Sequence, residues 1–210
     1  MPEQPGRDCP RCPRLVAFLQ EHRAAHPDWF NAPVPSFGPI EARVLIVGLA
    51  PGLKGANRTG RPFTGDYAGD LLYPTLLNHG FAEGRYGREA DDGLSLTDCR
   101  ITNAVRCVPP QNKPVGAEAN ACRPFLVSEI AAMKNLKVVL SLGGLSHSAV
   151  LRTFGLKQSD AKFTHGALHD LGEALPLLAN SYHCSRYNTN TGRLTEKMFD
   201  RVFADIRKAL

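Results

Sequence analysis

The sequence predicts an α/β fold: a single-domain, three-layer α/β/α arrangement with a mainly parallel central sheet. Three observations predict it. The short apolar runs Ala42–Gly48 (ARVLIVG) and Lys137–Leu142 (KVVLSL) are continuous rather than alternating, as in strands covered on both faces. Segments with helical character stand between the strand-like runs, and strand–helix alternation favours a doubly wound sheet. The chain has 210 residues, 43% of them hydrophobic, which suits one sizeable core and is short for two domains. A single domain over residues 1–210 is therefore expected.

Taken in order, Arg14–His22 reads as a short helix. Pro27–Ile40, rich in proline and aromatics, reads as irregular structure. The strand Ala42–Gly48 is followed by a long Gly-rich loop, Leu49–Gly65. Asp66 then stands where a helix N-cap belongs, opening an apolar-periodic stretch to Leu77 with Pro74 inside it. Leu94–Val105 is predicted as one strand. Cys122–Leu136 is predicted as a helix, with Pro124 at an early position that tolerates proline. Lys137–Leu142 is a strand, Gly144–Phe154 a helix, and Leu177–Asn180 a short strand running into Ser181–Tyr182–His183. Leu194–Leu210 closes the chain as a helix, with Met198, Phe199, Val202, Phe203 and Ile206 near 3.6-residue spacing.

Composition excludes some classes. No apolar stretch approaches the roughly 18–20 residues of a membrane span. The N-terminus, MPEQPGRDCPRCPRL, has no apolar core of a secretory signal. A cytoplasmic setting is the expectation, and there thiols stay reduced and available to metals. The formal net charge of +5 hints at a polyanionic partner.

Four of the six cysteines have suggestive spacing: Cys9 and Cys12 in a Cys-Pro-Arg-Cys pair, and Cys107 and Cys122 flanking a Pro-rich segment. Four thiolates gathered from loops suit either a Zn²⁺ tetrahedron or an iron–sulfur cluster. The competing reading is a set of unrelated buried thiols, since cysteine packs well as a small hydrophobe. Cys99 and Cys184 fit that reading better.

Three loops follow the predicted strand ends at Gly48, Asn103 and Asn180, and ligands of doubly wound sheets bind beyond such ends. The first, Gly48–Asp66, holds five glycines in nineteen residues, so its backbone can approach a ligand closely. Arg58 and Arg61 can meet phosphates, and Phe63 offers a flat face for a base. A mobile surface loop is the bland alternative. This is not a P-loop, because it lacks the Gly-Lys-Ser/Thr ending. In the second loop Asn103 can both donate to and accept from a base edge, although an isolated Asn is more often a turn residue. The third, Tyr182–Thr195, offers His183 as a polarising group and Arg186, Asn188, Asn190, Thr191 and Arg193 as a polar wall. Helix capping is the alternative use of its Asn and Arg residues.

Together these residues resemble the uracil-DNA glycosylase superfamily, and within it the iron–sulfur-containing family 5 (type b). GLAPG followed by GANRTGRPFTGD resembles the family's first motif, and HCSRYNTNTGRLT its second. The cysteine order, with its later pair separated by fourteen residues, resembles the ligand set of a 4Fe–4S cluster. Phe163–Thr164–His165–Gly166 resembles a short element of the cluster-bearing families. The likeness spans residues 9–207.

The resemblance implies that Cys9, Cys12, Cys107 and Cys122 hold the cluster, which ties down the N-terminal arm. It implies that Phe63 stacks on a flipped base, Asn103 meets its edge, His183 its C2 carbonyl, and Asp66 the attacking water. It places Gly48, Ala50, Pro51 and Gly52 about the base, and Arg58, Arg61, Arg186, Asn188 and Arg193 on DNA. One departure separates the chain from family 4: Leu49 stands where those enzymes carry Glu. The implied activity is hydrolysis of the N-glycosidic bond of uracil, hypoxanthine or ethenocytosine in double-stranded DNA, by a monomer. The alternatives are a narrower family 4-like uracil enzyme and a non-catalytic iron–sulfur DNA-binding module.

Overall fold

The computed structural model describes Met1–Leu210. Helix α1 (Pro13–Ala25) is followed by an irregular segment and strand β1 (Val44–Gly48). A short helix α2 (Ala56–Thr59) lies within the Gly-rich loop, ahead of α3 (Tyr67–Asn78). The hairpin strands β2 (Ala82–Glu83) and β3 (Ser95–Leu96) lead to β4 (Cys99–Asn103), then α4 (Gly116–Ala132), β5 (Val138–Leu142) and α5 (Gly144–Thr153). The chain ends with β6 (Leu168–His169), β7 (Leu177–Ser181), α6 (Arg186–Asn190) and α7 (Glu196–Ala209).

The main sheet runs β4-β1-β5-β7-β6. β4, β1, β5 and β7 are parallel, and only the two-residue edge strand β6 is antiparallel. Side chains alternate across it and divide the core in two. Val44, Ile46, Ile101, Leu140 and Ala179 pack with Leu72 and Leu76 of α3 and Phe199, Val202 and Phe203 of α7. Leu45, Val47, Val139 and Leu178 pack with Leu126 of α4 and Val150 and Leu151 of α5. With both faces covered, β1 and β5 are buried along their whole length, which explains their unbroken apolar runs. No helix is long and apolar enough to cross a membrane.

Two sequence expectations are corrected. Leu94–Val105 is not one strand. The chain breaks at Asp98, whose φ is +55°, and the Asp98 carboxylate accepts the Arg43 N–H at 2.8 Å, so this turn is fastened to the entry of β1. The helix predicted from Cys122 begins at Gly116 instead. Glu118 caps it by accepting the Val115 N–H at 2.8 Å and pairs with Arg14. Pro124 therefore lies inside the helix, not near its start.

Candidate active site

The register of the sheet builds the centre of the site. Gly48 and Asn103 are the last residues of the neighbouring parallel strands β1 and β4, and they sit side by side. A Cβ on Gly48 would lie 2.3 Å from Asn103 Oδ1 and 2.6 Å from Phe63 Cζ. The missing side chain is the space those two groups occupy. Asn103 is 3% exposed, and its Oδ1 has no hydrogen-bond partner in the protein. A buried acceptor left open costs about 1–3 kcal/mol, so a ligand donor is the natural partner.

Phe63 adopts a positive φ of +53°, an uncommon conformation for a residue with a side chain. Its neighbours impose that conformation. Tyr73 donates to the Pro62 carbonyl at 2.5 Å, and Gly69 leaves room for the Phe63 carbonyl, which a Cβ there would meet at 1.9 Å. Arg61 supports the same shelf. It is 4% exposed, paired with Asp92 at 2.7 Å, and packed against the rings of Phe37, Tyr73 and Tyr86. Although burial alone would raise it, the Asp92 pKa is held at about 2 by Arg61 and by the N–H groups of Gly87 and Leu94.

Asp66 caps α3, accepting the Ala68 N–H through Oδ1 at 3.1 Å. Its Oδ2 faces the backbone of the Gly-rich loop. A Cβ on Gly55 would come within 2.4 Å of it, and one on Gly52 within 2.8 Å. Burial pushes the Asp66 pKa up, while the N–H groups of Gly69 and Ala68 oppose the rise. Residue 66 is thus both a helix cap and a carboxylate open to the cavity.

His183 follows the end of β7. Its carbonyl accepts from Asn188 Nδ2 at 2.8 Å, and its ring lies 5.8 Å from that of Phe63 at an interplanar angle of 30°. Burial lowers its pKa to about 4, so the imidazole is neutral at pH 7. Phe63, Asp66, Asn103 and His183 open onto one cavity of about 360 Å³, with Ala50, Pro51 and Gly52 in its wall. Gly48 lies behind this wall and acts through the space it leaves.

The five candidate DNA contacts, four arginines and Asn188, divide. Arg186 reaches the cavity rim, with its guanidinium 5.2 Å from the Tyr67 ring centre, and Arg193 is exposed over Tyr182 at 4.6 Å. Arg61 is corrected: its buried pairing with Asp92 keeps it from any phosphate. Arg58 is held by Glu89 at 2.9 Å, and Asn188 spends its amide on the His183 carbonyl. Sequence reasoning missed Tyr67, Asn112 and Ser185 in the cavity lining. It also missed Tyr187, 72% exposed on α6, although a lone aromatic within a run of Arg, Asn and Thr was a usable signal.

A second, smaller cavity of about 20 Å³ is lined by Cys9, Cys12, Cys107 and Cys122, whereas Cys99, the first residue of β4, and Cys184 lie in the core. The expectation of loop ligands holds only in part: Cys12 is the N-cap of α1, and Cys122 lies within α4. Burial, followed by repulsion among the neighbouring sulfurs, raises the thiol pKa to about 11 for Cys12 and about 12 for Cys107. The Arg106 N–H points at Cys122 Sγ, 3.4 Å away. No three Cys, His, Asp or Glu side chains close around a single metal ion.

The sequence profile of the Uracil DNA glycosylase superfamily matches residues 35–207. A Type-5 uracil-DNA glycosylase of Thermus thermophilus is 45% identical over 206 residues, covering 95% of this chain and 93% of that protein. One from Mycobacterium bovis is 40% identical, covering 95% of this chain and 77% of the relative. One from Pyrobaculum aerophilum is 39% identical, covering 93% and 86%.

Proposed function

Because the chain belongs to the uracil-DNA glycosylase superfamily, and within it to the type-5 family, we propose that it hydrolyses the N-glycosidic bond of uracil and of related deaminated or damaged bases turned out of double-stranded DNA. The observation that carries this reading is the unpartnered Asn103 Oδ1, buried beside Phe63 in the cavity that also holds Asp66 and His183.

The steps follow from these groups. A base within a duplex cannot be reached, so it is turned outward at a cost of a few kcal/mol. Phe63 stacks on its face. Asn103 Oδ1 accepts the uracil N3–H while its amide donates to O4. The C1′–N bond breaks with its electron pair moving to the base, and the sugar gains oxocarbenium character. Neutral His183 donates to the C2 carbonyl, where negative charge grows. DNA phosphates steady the cation. Asp66 orients a water and takes its proton as oxygen bonds to C1′. Arg186 and Arg193 face the backbone, and the exposed Tyr187 stands on α6, shortly after His183, where it can fill the gap left by the base.

The breadth of the pocket has a physical basis. The N1–H and O6 of hypoxanthine present the same donor and acceptor order as uracil N3–H and O4. The wall on the Leu49 side is apolar, with Ala50, Pro51 and Ala56 in the same lining, and such walls discriminate weakly against added atoms; ethenocytosine, which has no N3–H for Asn103, is admitted by that steric tolerance alone. With Leu49 rather than a carboxylate there, the broad reading is favoured over a family 4-like one.

The residues around the second cavity fit a 4Fe–4S cluster. Four thiols and a backbone N–H donor surround it, a donor set that iron–sulfur clusters use, and membership of the type-5 family favours the cluster over zinc. Cys9, Cys12, Cys107 and Cys122 would hold it, and it would supply a cross-link between the N-terminal arm and α4. Release of base from uracil, hypoxanthine and ethenocytosine duplexes, with iron and zinc quantified in anaerobically purified protein, tests the proposal. Binding without base release would favour a non-catalytic module. Stoichiometric zinc without iron would refute the cluster.

A further inference from the structure

The Phe163–Gly166 element has no part in the chemistry above, yet it braces the segment that carries His183. β7 ends at Ser181, and β6 pairs only with Leu178 and Ala179, so the Tyr182 N–H lies beyond the sheet ladder. A side chain satisfies it instead: His165 Nδ1 accepts the Tyr182 N–H at 3.1 Å. The His165 ring also stacks on Tyr182, with centroids 4.9 Å apart and planes within 14°. The Arg193 guanidinium lies over the same tyrosine at 4.6 Å.

The brace is itself anchored. The Gly166 N–H donates to the Asn180 carbonyl at 2.9 Å, in a turn that Gly166 makes with φ +77°. The Asn180 amide is gripped by Ser141, His147 and His169 at 2.7 to 3.0 Å. His165 thus transmits the position of a buried polar network to the residue immediately before His183.

We propose that His165 is a positioning residue: through the Tyr182 backbone it holds the His183 imidazole where it can meet the base. This inference rests on the reading in which His183 contacts the leaving base. Burial lowers the His165 pKa, which keeps Nδ1 free to accept at neutral pH. Displacement of a catalytic group by about 1 Å can cost on the order of a hundredfold in rate.

The experiment uses the full chain and three substitutions. Asn carries an oxygen on Cγ, where His carries Nδ1, so His165→Asn keeps the acceptor in place. His165→Gln moves it one atom further out, and His165→Leu removes it. Single-turnover release of uracil from duplex DNA should fall roughly ten- to a hundredfold for Leu and Gln and stay near wild type for Asn. Duplex affinity should be unchanged in all three. Exchange of the Tyr182 amide should speed up in the Leu and Gln variants only. If Leu does not fold, the Asn–Gln pair decides alone. Equal rates in wild type, Asn and Gln, or parallel loss of rate and affinity in Asn and Gln, would overturn the proposal. Wild-type protein that releases no base would instead sink the functional reading, and the amide exchange would still judge the brace.

Discussion

Asp66→Asn separates the helix cap that this side chain forms from the catalytic role proposed for it. Oδ1 caps α3 by accepting from Ala68 at 3.1 Å, and Oδ2 faces the cavity between Gly52 and Gly55. Asn caps about as well as Asp, whereas Ala costs about 1 kcal/mol. Loss of a general base costs about 10²–10⁴ in rate, equivalent to roughly 2.7–5.4 kcal/mol of barrier. Because burial raises the Asp66 pKa, the folded state disfavours its charge. The stability cost of that charge is absent below the unfolded pKa and develops as pH rises through the folded one, so removing the charge does not weaken the fold at pH 7. We expect Asp66→Asn to slow single-turnover uracil release a hundredfold or more, with thermal midpoint and duplex affinity near wild type. Asp66→Ala should show the same rate loss together with a lower midpoint. If Asp66→Asn releases uracil within a few-fold of wild type, the carboxylate is a cap alone and the assignment of the water to it is wrong.

Gly48→Ala should abolish base release while leaving the strands intact, because its Cβ would lie 2.3 Å from Asn103 Oδ1 and 2.6 Å from Phe63 Cζ; release at the wild-type rate would refute the packing account. Arg61→Ala should destabilise the fold by about 3–5 kcal/mol in chemical denaturation by stranding buried Asp92. Arg193→Ala should leave base preference alone and reduce the salt slope of duplex binding by about 1, with an unchanged slope placing this Arg off the DNA. The acid limb of excision should combine protonation of Asp66 and of His183, and Asp66→Asn should leave only the step near pH 4, where His183 becomes charged; a residual step near pH 6.5 would mean that His183 titrates as in solution. Cys107→Ser should remove the iron absorbance and lower stability, whereas Cys99→Ser, buried in β4, should leave iron content unchanged.

Much of the site was legible because it lies at strand ends. The apolar runs ending at Gly48, in the stretch before Asn103, and ahead of His183 gave the strands. A parallel sheet sends successive strand ends to the same edge, so the loops were bound to converge. The Asp66 cap was equally local, since a cap and the N–H it accepts are two residues apart. At the predicted strand the deciding group was distant in sequence: Asp98 breaks it, fastened by Arg43. At α4 the deciding cap was local, Glu118 on the Val115 N–H three residues earlier, and went unread in the sequence.

The arginines show the division best. Chemistry and motif made Arg58, Arg61, Arg186 and Arg193 equivalent candidates for phosphate. The fold gives Arg61 to Asp92 and three aromatic rings, gives Arg58 to Glu89, and leaves Arg186 and Arg193 at the surface. By itself the sequence determined strands β1, β5 and β7, the loops that follow the strand ends and the choice of Phe63, Asp66, Asn103 and His183 as candidates, because backbone pattern and functional group are local properties. Only the tertiary structure decided which charges are spent within the protein and which remain for a partner, because a guanidinium is neutralised by whichever carboxylate the fold brings to it, however far away in the chain.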